Sequence, residues 1–88
     1  MKAPLQPPTF PLGKMIDTAM TFGQRLARAR KALGLTQRDL ALAIGAGERF
    51  IVELEAGKPT AQLGKALAAA KAAGMRLVDA SGPDDPAR

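Results

Sequence analysis

The stretch TQRDLALAIGAGERFIVELEAGK, residues 36–58, decides the fold. It opens with Thr36, a suitable N-cap residue, and Asp39 three positions later favours a helix N-terminus. Apolar residues then recur at helical spacing. The run Gly45–Gly47 interrupts this pattern, so we expect a first short helix over about 37–44, followed by a turn.

A second short helix is expected after the turn, over about 47–56. Ile51 and Leu54 recur on one side of it. Gly57 suits the left-handed position that ends a helix, and Pro59 prevents continuation. Two helices joined by a glycine-containing turn form a helix-turn-helix unit, whose second helix can lie in the DNA major groove.

Another helix is predicted ahead of this unit. Thr21 and Gln24 have capping-box spacing, so we expect the helix to start at Thr21 and to end at Gly34. Its other face is cationic, and two interpretations of that charge are open: phosphate contact and a solvated surface. The apolar stripe that should face the core comprises Phe22, Leu26, Ala29 and Leu33.

A fourth helix is predicted over 61–73, with Thr60 as its N-cap. Leu63, Leu67 and Ala70 form its expected inner stripe, for which core packing and a dimer contact are both open.

After Gly74 the segment 75–80 becomes apolar and strand-like. A lone strand cannot satisfy its own backbone groups, so we expect it to pair with a second copy of the chain or with residues 15–18. The residues of this predicted dimerisation strand are Met75, Arg76, Leu77, Val78 and Asp79.

The two ends of the chain have compositions of their own. Residues 1–20 contain four prolines, and we expect a flexible arm there; its cations Lys2 and Lys14 leave nucleic-acid contact open as the alternative. Residues 81–88 are rich in Gly, Pro and Asp, which predicts a disordered tail. The folded body is therefore expected over 21–74.

Composition favours a binding protein over an enzyme. Lys and Arg number 13 against 8 Asp and Glu, and the formal net charge of +5 suits a polyanionic partner. The chain has neither Cys nor His, so thiolate zinc sites, disulfides and the usual general base are absent. We expect no catalytic activity, no metal and no cofactor. Nothing in the sequence resembles a membrane span or a signal peptide, which predicts a cytoplasmic protein.

The order of residues in the central stretch carries a family resemblance. A Thr-Gln pair at 36–37 is followed by Leu-Ala, then by Gly at the turn, Ile midway along the second helix, and Glu-x-Gly at its end. This spacing resembles the lambda-repressor/Cro-type (XRE) helix-turn-helix family, over roughly 22–74. The resemblance implies an all-α, compact four-helix domain whose third helix reads DNA.

The resemblance also implies roles for single residues. Arg30 and Glu55 match the positions of an architectural ion pair that ties helix one to helix three, a task that suits a planar guanidinium and a carboxylate. Gln37 matches a helix N-terminal residue that contacts a DNA phosphate. The positions that match base-reading slots are Gly47, Glu48, Arg49 and Glu53, with Val52 near them.

The predicted reading helix is not itself basic. Arg49 suits guanine, whose O6 and N7 it can bond together, and Glu48 suits cytosine N4. Acidic residues nevertheless outnumber basic ones between 37 and 58. Attraction to the DNA backbone must therefore come from cations at the rims of the unit. Besides Gln37, the expected phosphate contacts are Arg25, Arg28, Lys31, Arg38 and Lys58.

The second half of the chain resembles one particular group within this family. The run 47–79, with Arg49-Phe50-Ile51, a Gly-Lys-Pro-Thr link and the terminal strand, is similar to the HipB-like antitoxin regulators. This similarity implies a bacterial homodimer locked by its two C-terminal strands, a HipA-like kinase toxin as partner, and repression of a palindromic operator. A phage-type repressor and a restriction-modification controller are the rivals that share this mechanism. The acidic character of the predicted reading helix also leaves open an alternative of another class, a protein-interaction adaptor that does not read DNA.

Overall fold

Four helices and their connections make up the part of the chain that the structure describes, residues 15–79. In this computed structural model the helices are α1 (Ala19–Ala32), α2 (Gln37–Ala43), α3 (Glu48–Glu55) and α4 (Leu63–Ala72). The described part is thus all-α, as predicted. None of its helices combines the length and the apolar character needed to cross a bilayer. The predictions for residues 1–14 and 80–88 lie outside the described residues.

The start of α1 differs from its prediction. Thr18 is the N-cap: its hydroxyl accepts the Thr21 N–H at 3.0 Å, and the Thr21 hydroxyl accepts the Thr18 N–H at 3.1 Å. Thr21 therefore closes a reciprocal capping box from inside the first turn. The predicted pairing of Thr21 with Gln24 is wrong, because the two threonines already satisfy each other's backbone donors.

The helices of the central unit lie where the sequence predicts them, to within one residue at each end. Thr36 caps α2: its hydroxyl accepts the Asp39 N–H at 2.9 Å, and the Asp39 carboxylate accepts the Thr36 N–H at 2.9 Å. The hydrogen bond from the Thr36 backbone holds the pKa of Asp39 below its ordinary value. Gly57 follows α3 with φ of +94°, and a Cβ there would lie 3.0 Å from Met20 Cα, so glycine meets both the backbone conformation and the space.

The core lies where the inner faces of the helices meet. Its largest fully buried side chains are Leu26 of α1, Leu40 of α2 and Ile51 of α3. Phe22 is half-buried against this cluster. Leu33 was expected to join the core, but it is the C-cap of α1 and 55% exposed.

The inner face of α4 is made of alanines: the predicted inner stripe is confirmed for Ala70, which is 1% exposed, and wrong for Leu63 and Leu67. The helix starts at Leu63 without a cap from Thr60, because residues 58–61 form a turn closed by the Ala61 N–H on the Lys58 carbonyl at 3.4 Å. Leu63 and Leu67 are 69% and 46% exposed. Ala66 and Ala69 of α4 pack in the core cluster, and so does Ala73, the C-cap residue of this helix.

Glycine is required where α1 crosses the end of α3. Gly23 is buried, and a Cβ on it would lie 2.5 Å from the Leu54 carbonyl oxygen and 2.6 Å from that of Glu55. These are backbone atoms, which cannot move aside as a flexible side chain can. The close approach of the two helices therefore depends on the absence of a side chain at this position.

The segment Met75–Asp79 is not a strand, and residues 15–79 contain no strand with which it could pair. It leaves α4 through Gly74, and the Met75 N–H bonds the Ala70 carbonyl at 2.9 Å. Met75 is half-buried against the core, whereas Leu77 and Val78 are 45% and 75% exposed. The predicted intrachain strand pairing with residues 15–18 is therefore wrong, and the pairing between two copies of the chain stays a prediction.

Candidate nucleic-acid interface

A four-residue turn sets the position of α3 relative to α2. Ile44 is the C-cap of α2, and Gly45 adopts φ of +69°, a left-handed conformation that suits glycine. The Ala46 N–H bonds the Ala41 carbonyl at 2.9 Å, and Gly47 then becomes the N-cap of α3. The turn thus closes the two helices into one helix-turn-helix unit.

One face of α3 is buried and the other is accessible. Ile51 and Leu54 are 0% and 4% exposed and face the core. The side chain of Arg49 is 83% exposed. Phe50 is half-buried at the edge of the core. The residues predicted to contact bases are exposed, or half-buried in the case of Glu53: Gly47, Glu48, Arg49, Val52 and Glu53.

The buried side of α3 ends in a carboxylate that binds two other helices. Glu55 accepts from Arg30 of α1 twice, from Nε at 2.6 Å and from Nη2 at 3.0 Å. The two side chains are 9% and 7% exposed. Arg30 Nη1 also donates to the Leu35 carbonyl at 2.8 Å, and this satisfies a second edge of the guanidinium. The hydrogen bond to Glu55 raises the pKa of Arg30 above its ordinary value, so the guanidinium stays charged.

Gln37 joins the same carboxylate from α2. Its amide Nε2 donates to Glu55 Oε1 at 3.0 Å, and the residue is half-buried. An amide nitrogen carries two donors, so one remains for another acceptor such as a phosphate. The phosphate contact of Gln37 stays a prediction. Within the protein, its amide already holds the Glu55 carboxylate by a hydrogen bond.

The accessible side of α3 carries a second carboxylate with two cations. Glu53 Oε1 accepts from Lys58 Nζ at 3.0 Å, and Glu53 Oε2 lies 3.4 Å from Arg49 Nε. The hydrogen bond from Lys58 is the main reason that the pKa of Glu53 lies below its ordinary value. The side chains of Glu53 and Lys58 are 39% and 46% exposed, so water screens this cluster.

Comparison with known proteins agrees with this geometry. The helix-turn-helix family model matches residues 26–79, from within α1 to the last described residue. The chain belongs to the XRE-type helix-turn-helix family. It is also similar to the uncharacterized HTH-type transcriptional regulator y4mF of Sinorhizobium fredii, with 50% identity over 56 residues, which cover 64% of this chain and 74% of that protein.

The rim cations of this helix-turn-helix protein lie in different places. Lys58 shares a surface depression with Phe50 and Glu53, next to the accessible face of α3. Arg25 and Arg28 of α1 line a separate depression with residues 75–77. Lys31 and Arg38 are exposed. Of the predicted phosphate contacts, Lys58 thus lies in direct contact with a predicted base reader, Glu53.

Two features of this helix-turn-helix protein were not predicted from its sequence. Lys65 of α4 places Nζ 5.9 Å from the centroid of the Phe50 ring, a cation–π arrangement beside α3. The amide of Gln37 binds Glu55. Both contacts depend on how distant segments approach each other, and no local pattern signals that. Among residues 15–79 no cluster of carboxylates has the arrangement of a metal site.

Proposed function

We propose that this protein is a sequence-specific DNA-binding transcriptional repressor that inserts α3 into the major groove. The observation that carries the proposal is the accessible face of α3, fixed from behind by Ile51, Leu54 and the Arg30–Glu55 pair. Family membership supports the same reading, because the helix-turn-helix unit places its second helix against base edges. The net charge of +5 supports a polyanionic partner.

Base reading is assigned first to Arg49. Its guanidinium is the most exposed cation of the ion pairs described above, and Arg can bond guanine O6 and N7 together. Glu48, Gly47 and Val52 complete the surface that would face the bases. Phosphate contacts would fix the register without reading sequence. They are assigned to Gln37, Arg38, Lys58, Arg25, Arg28 and Lys31.

A homodimer is proposed to present two copies of α3 to successive major grooves, about 34–36 Å apart, on a palindromic operator. The segment Met75–Asp79 is the proposed dimer contact, as an antiparallel strand pair about a two-fold axis. The exposure of Leu77 and Val78 supports it, since pairing between copies would bury both and satisfy the backbone.

The regulator is further proposed to be the antitoxin of a HipBA-like operon, with a HipA-like kinase toxin as partner. The link from Gly57 to Thr60 and the C-terminal segment support this reading. The reading frame beside the gene separates the alternatives. A kinase-like frame supports the antitoxin, whereas a methyltransferase or endonuclease frame supports a restriction-modification controller.

Selection of duplexes from a random library by the full chain, followed by binding measurements across a range of salt, tests the proposal. We expect an enriched palindrome and an affinity that falls steeply as salt rises, because neutralised phosphates release counterions. A chain that enriches no sequence and binds no duplex is an interaction adaptor instead. An affinity that does not change with salt would contradict the proposed phosphate contacts.

A further inference from the structure

Glu53 already has two partners that the proposed function assigns to DNA. Its Oε1 accepts from Lys58 at 3.0 Å, and its Oε2 lies 3.4 Å from Arg49 Nε. A carboxylate held in this way keeps free acceptor sites, but its charge is already balanced and its direction is set by Lys58 and Arg49. The two cations, in turn, cannot both turn fully to DNA while they remain paired to Glu53.

The geometry of Arg49 shows which of its donors stay available. The ion pair brings Nε, on the inner edge of the guanidinium, to 3.4 Å from Glu53 Oε2, a charge contact and not a hydrogen bond. The terminal Nη1 and Nη2 groups lie beyond that edge, on a side chain that is 83% exposed. A guanidinium is a rigid planar fork, so a contact that restrains Nε also restrains the direction of the terminal N–H groups. Two such groups are sufficient for O6 and N7 of a guanine.

We propose that Glu53 is a positioning residue that sets sequence discrimination by acting as an internal counterion for Arg49 and Lys58. The inference rests on the proposed function and gives Glu53 a role other than base contact. On arbitrary DNA, phosphates must compete with Glu53 for both cations. On the operator, guanine accepts from the terminal groups of Arg49 while the Nε contact persists. Glu53 therefore weakens binding to arbitrary DNA more than binding to the operator.

The test compares Glu53→Gln with Glu48→Gln in the full chain. Both substitutions remove one negative charge from the accessible side of α3, but Glu48 makes no ion pair with a residue in 15–79. Because Glu48 is itself assigned to the base-facing surface, it serves as the charge control on the scrambled duplex alone. The probes are a duplex of scrambled sequence and the duplex selected from a random library, each about 24 base pairs, long enough for two half-sites one turn apart. Fluorescence anisotropy gives both affinities, and thermal melting checks that each variant folds.

We expect Glu53→Gln to tighten binding to the scrambled duplex by roughly threefold to tenfold, the range expected for two released surface pairs. The gain should exceed that of Glu48→Gln, and the ratio of operator to scrambled affinity should fall. Equal effects of the two variants on affinity for the scrambled duplex would overturn the inference. So would a loss of operator affinity with unchanged scrambled binding, because that pattern marks a direct base reader.

A measurement without DNA separates failure of this inference from failure of the proposed function. The NMR signal of the Arg49 Nε–H should shift in Glu53→Gln, because Glu53 Oε2 lies 3.4 Å from that nitrogen, whereas the signal of the exposed Arg28 should not. An Arg49 signal that does not respond to the substitution overturns the inference even if DNA binding is observed. A chain that binds neither duplex overturns the proposed function, and the assigned role of Glu53 with it.

Discussion

Glu53 and Glu55 are two carboxylates on the same helix, and they act in opposite surroundings. Two positions along an α-helix correspond to about 200°, so the side chains leave α3 on opposite sides. Glu55 turns inward to Arg30 and Gln37 at 7% side-chain exposure. Glu53 turns outward to Arg49 and Lys58 at 39% exposure.

The contrast shows that burial, not the number of partners, decides what a carboxylate does here. A buried charge that loses its partner is left without solvation, so the inner cluster holds three helices in one arrangement. An exposed charge that loses its partner is solvated by water, so the outer cluster can exchange partners at small cost. The inner ion pair therefore fixes the position of α3, whereas the outer ion pairs can open without loss of the fold.

The largest expected effect is on the inner side. Arg30→Ala leaves Glu55 buried without its guanidinium, and we expect the free energy of unfolding to fall by about 3–5 kcal/mol. Denaturant unfolding measures this loss. The matched control is Arg28→Ala on the exposed face of the same helix, which should change stability by no more than about 0.5 kcal/mol. Equal losses in the two variants would contradict an architectural role for the pair.

Gly23→Ala tests the close approach of α1 to the inner end of α3. The added Cβ would meet the carbonyl oxygens of Leu54 and Glu55 at 2.5 and 2.6 Å, so we expect destabilisation of about 1–3 kcal/mol. Thermal or denaturant unfolding measures it. Gly64→Ala in α4 is the control: no atom lies within 4 Å of its Cβ, and the higher helix propensity of Ala should stabilise by up to ~1 kcal/mol. A neutral Gly23→Ala would disprove the contact.

Arg49→Ala sharpens the comparison on the outer side. Because this side chain is exposed, we expect folding stability to change by less than about 0.5 kcal/mol. Discrimination between the selected operator and its single-base variants should fall by about 1–3 kcal/mol at the contacted position. Competition binding with a set of such variants measures the effect. A uniform loss across all sequences would instead mark Arg49 as a phosphate contact.

The smallest expected effect is a dependence of stability on pH that arises from Glu53. Folding lowers the pKa of this carboxyl, mainly through the Lys58 hydrogen bond, so the folded state binds its proton less readily than the unfolded state. The resulting stabilisation is present above the ordinary carboxyl pKa and is lost as pH falls through the lower folded value. Unfolding curves collected from pH 6 downward should therefore be less pH-dependent in Glu53→Gln. Parallel curves for the two proteins would exclude this linkage.

Local patterns predicted what depends on neighbours in sequence. The Thr36 cap, the turn at Gly45 and the stop at Gly57 follow from side-chain chemistry within four residues, and all three are present. The buried positions of α3 follow from helical spacing. The family resemblance suggested a contact between Arg30 and Glu55, which lie 25 positions apart, and the structure places the two side chains together.

Features that depend on packing between helices were not predictable in this way. Leu63 and Leu67 are large and apolar, and so were predicted to be buried. The face of α4 that packs against the core consists of alanines instead, because their small side chains let the helix lie close to the core. The role of Gly23 follows from the crossing point of two helices, and an isolated glycine in a helical pattern was its sole local signal. The apolar pattern of residues 75–79 predicted a strand, but a strand needs a second strand to pair with, and residues 15–79 contain none.

The alanine face of α4 also determines how this domain responds to temperature. Small side chains inside and leucines outside mean that unfolding newly exposes little apolar surface from this helix. The heat capacity of unfolding grows with that surface, and so does the steepness of the response to urea. A small contribution from α4 to the heat capacity change reduces the curvature of the unfolding free energy against temperature, so this helix makes stability less dependent on temperature than a leucine-lined helix of equal length would.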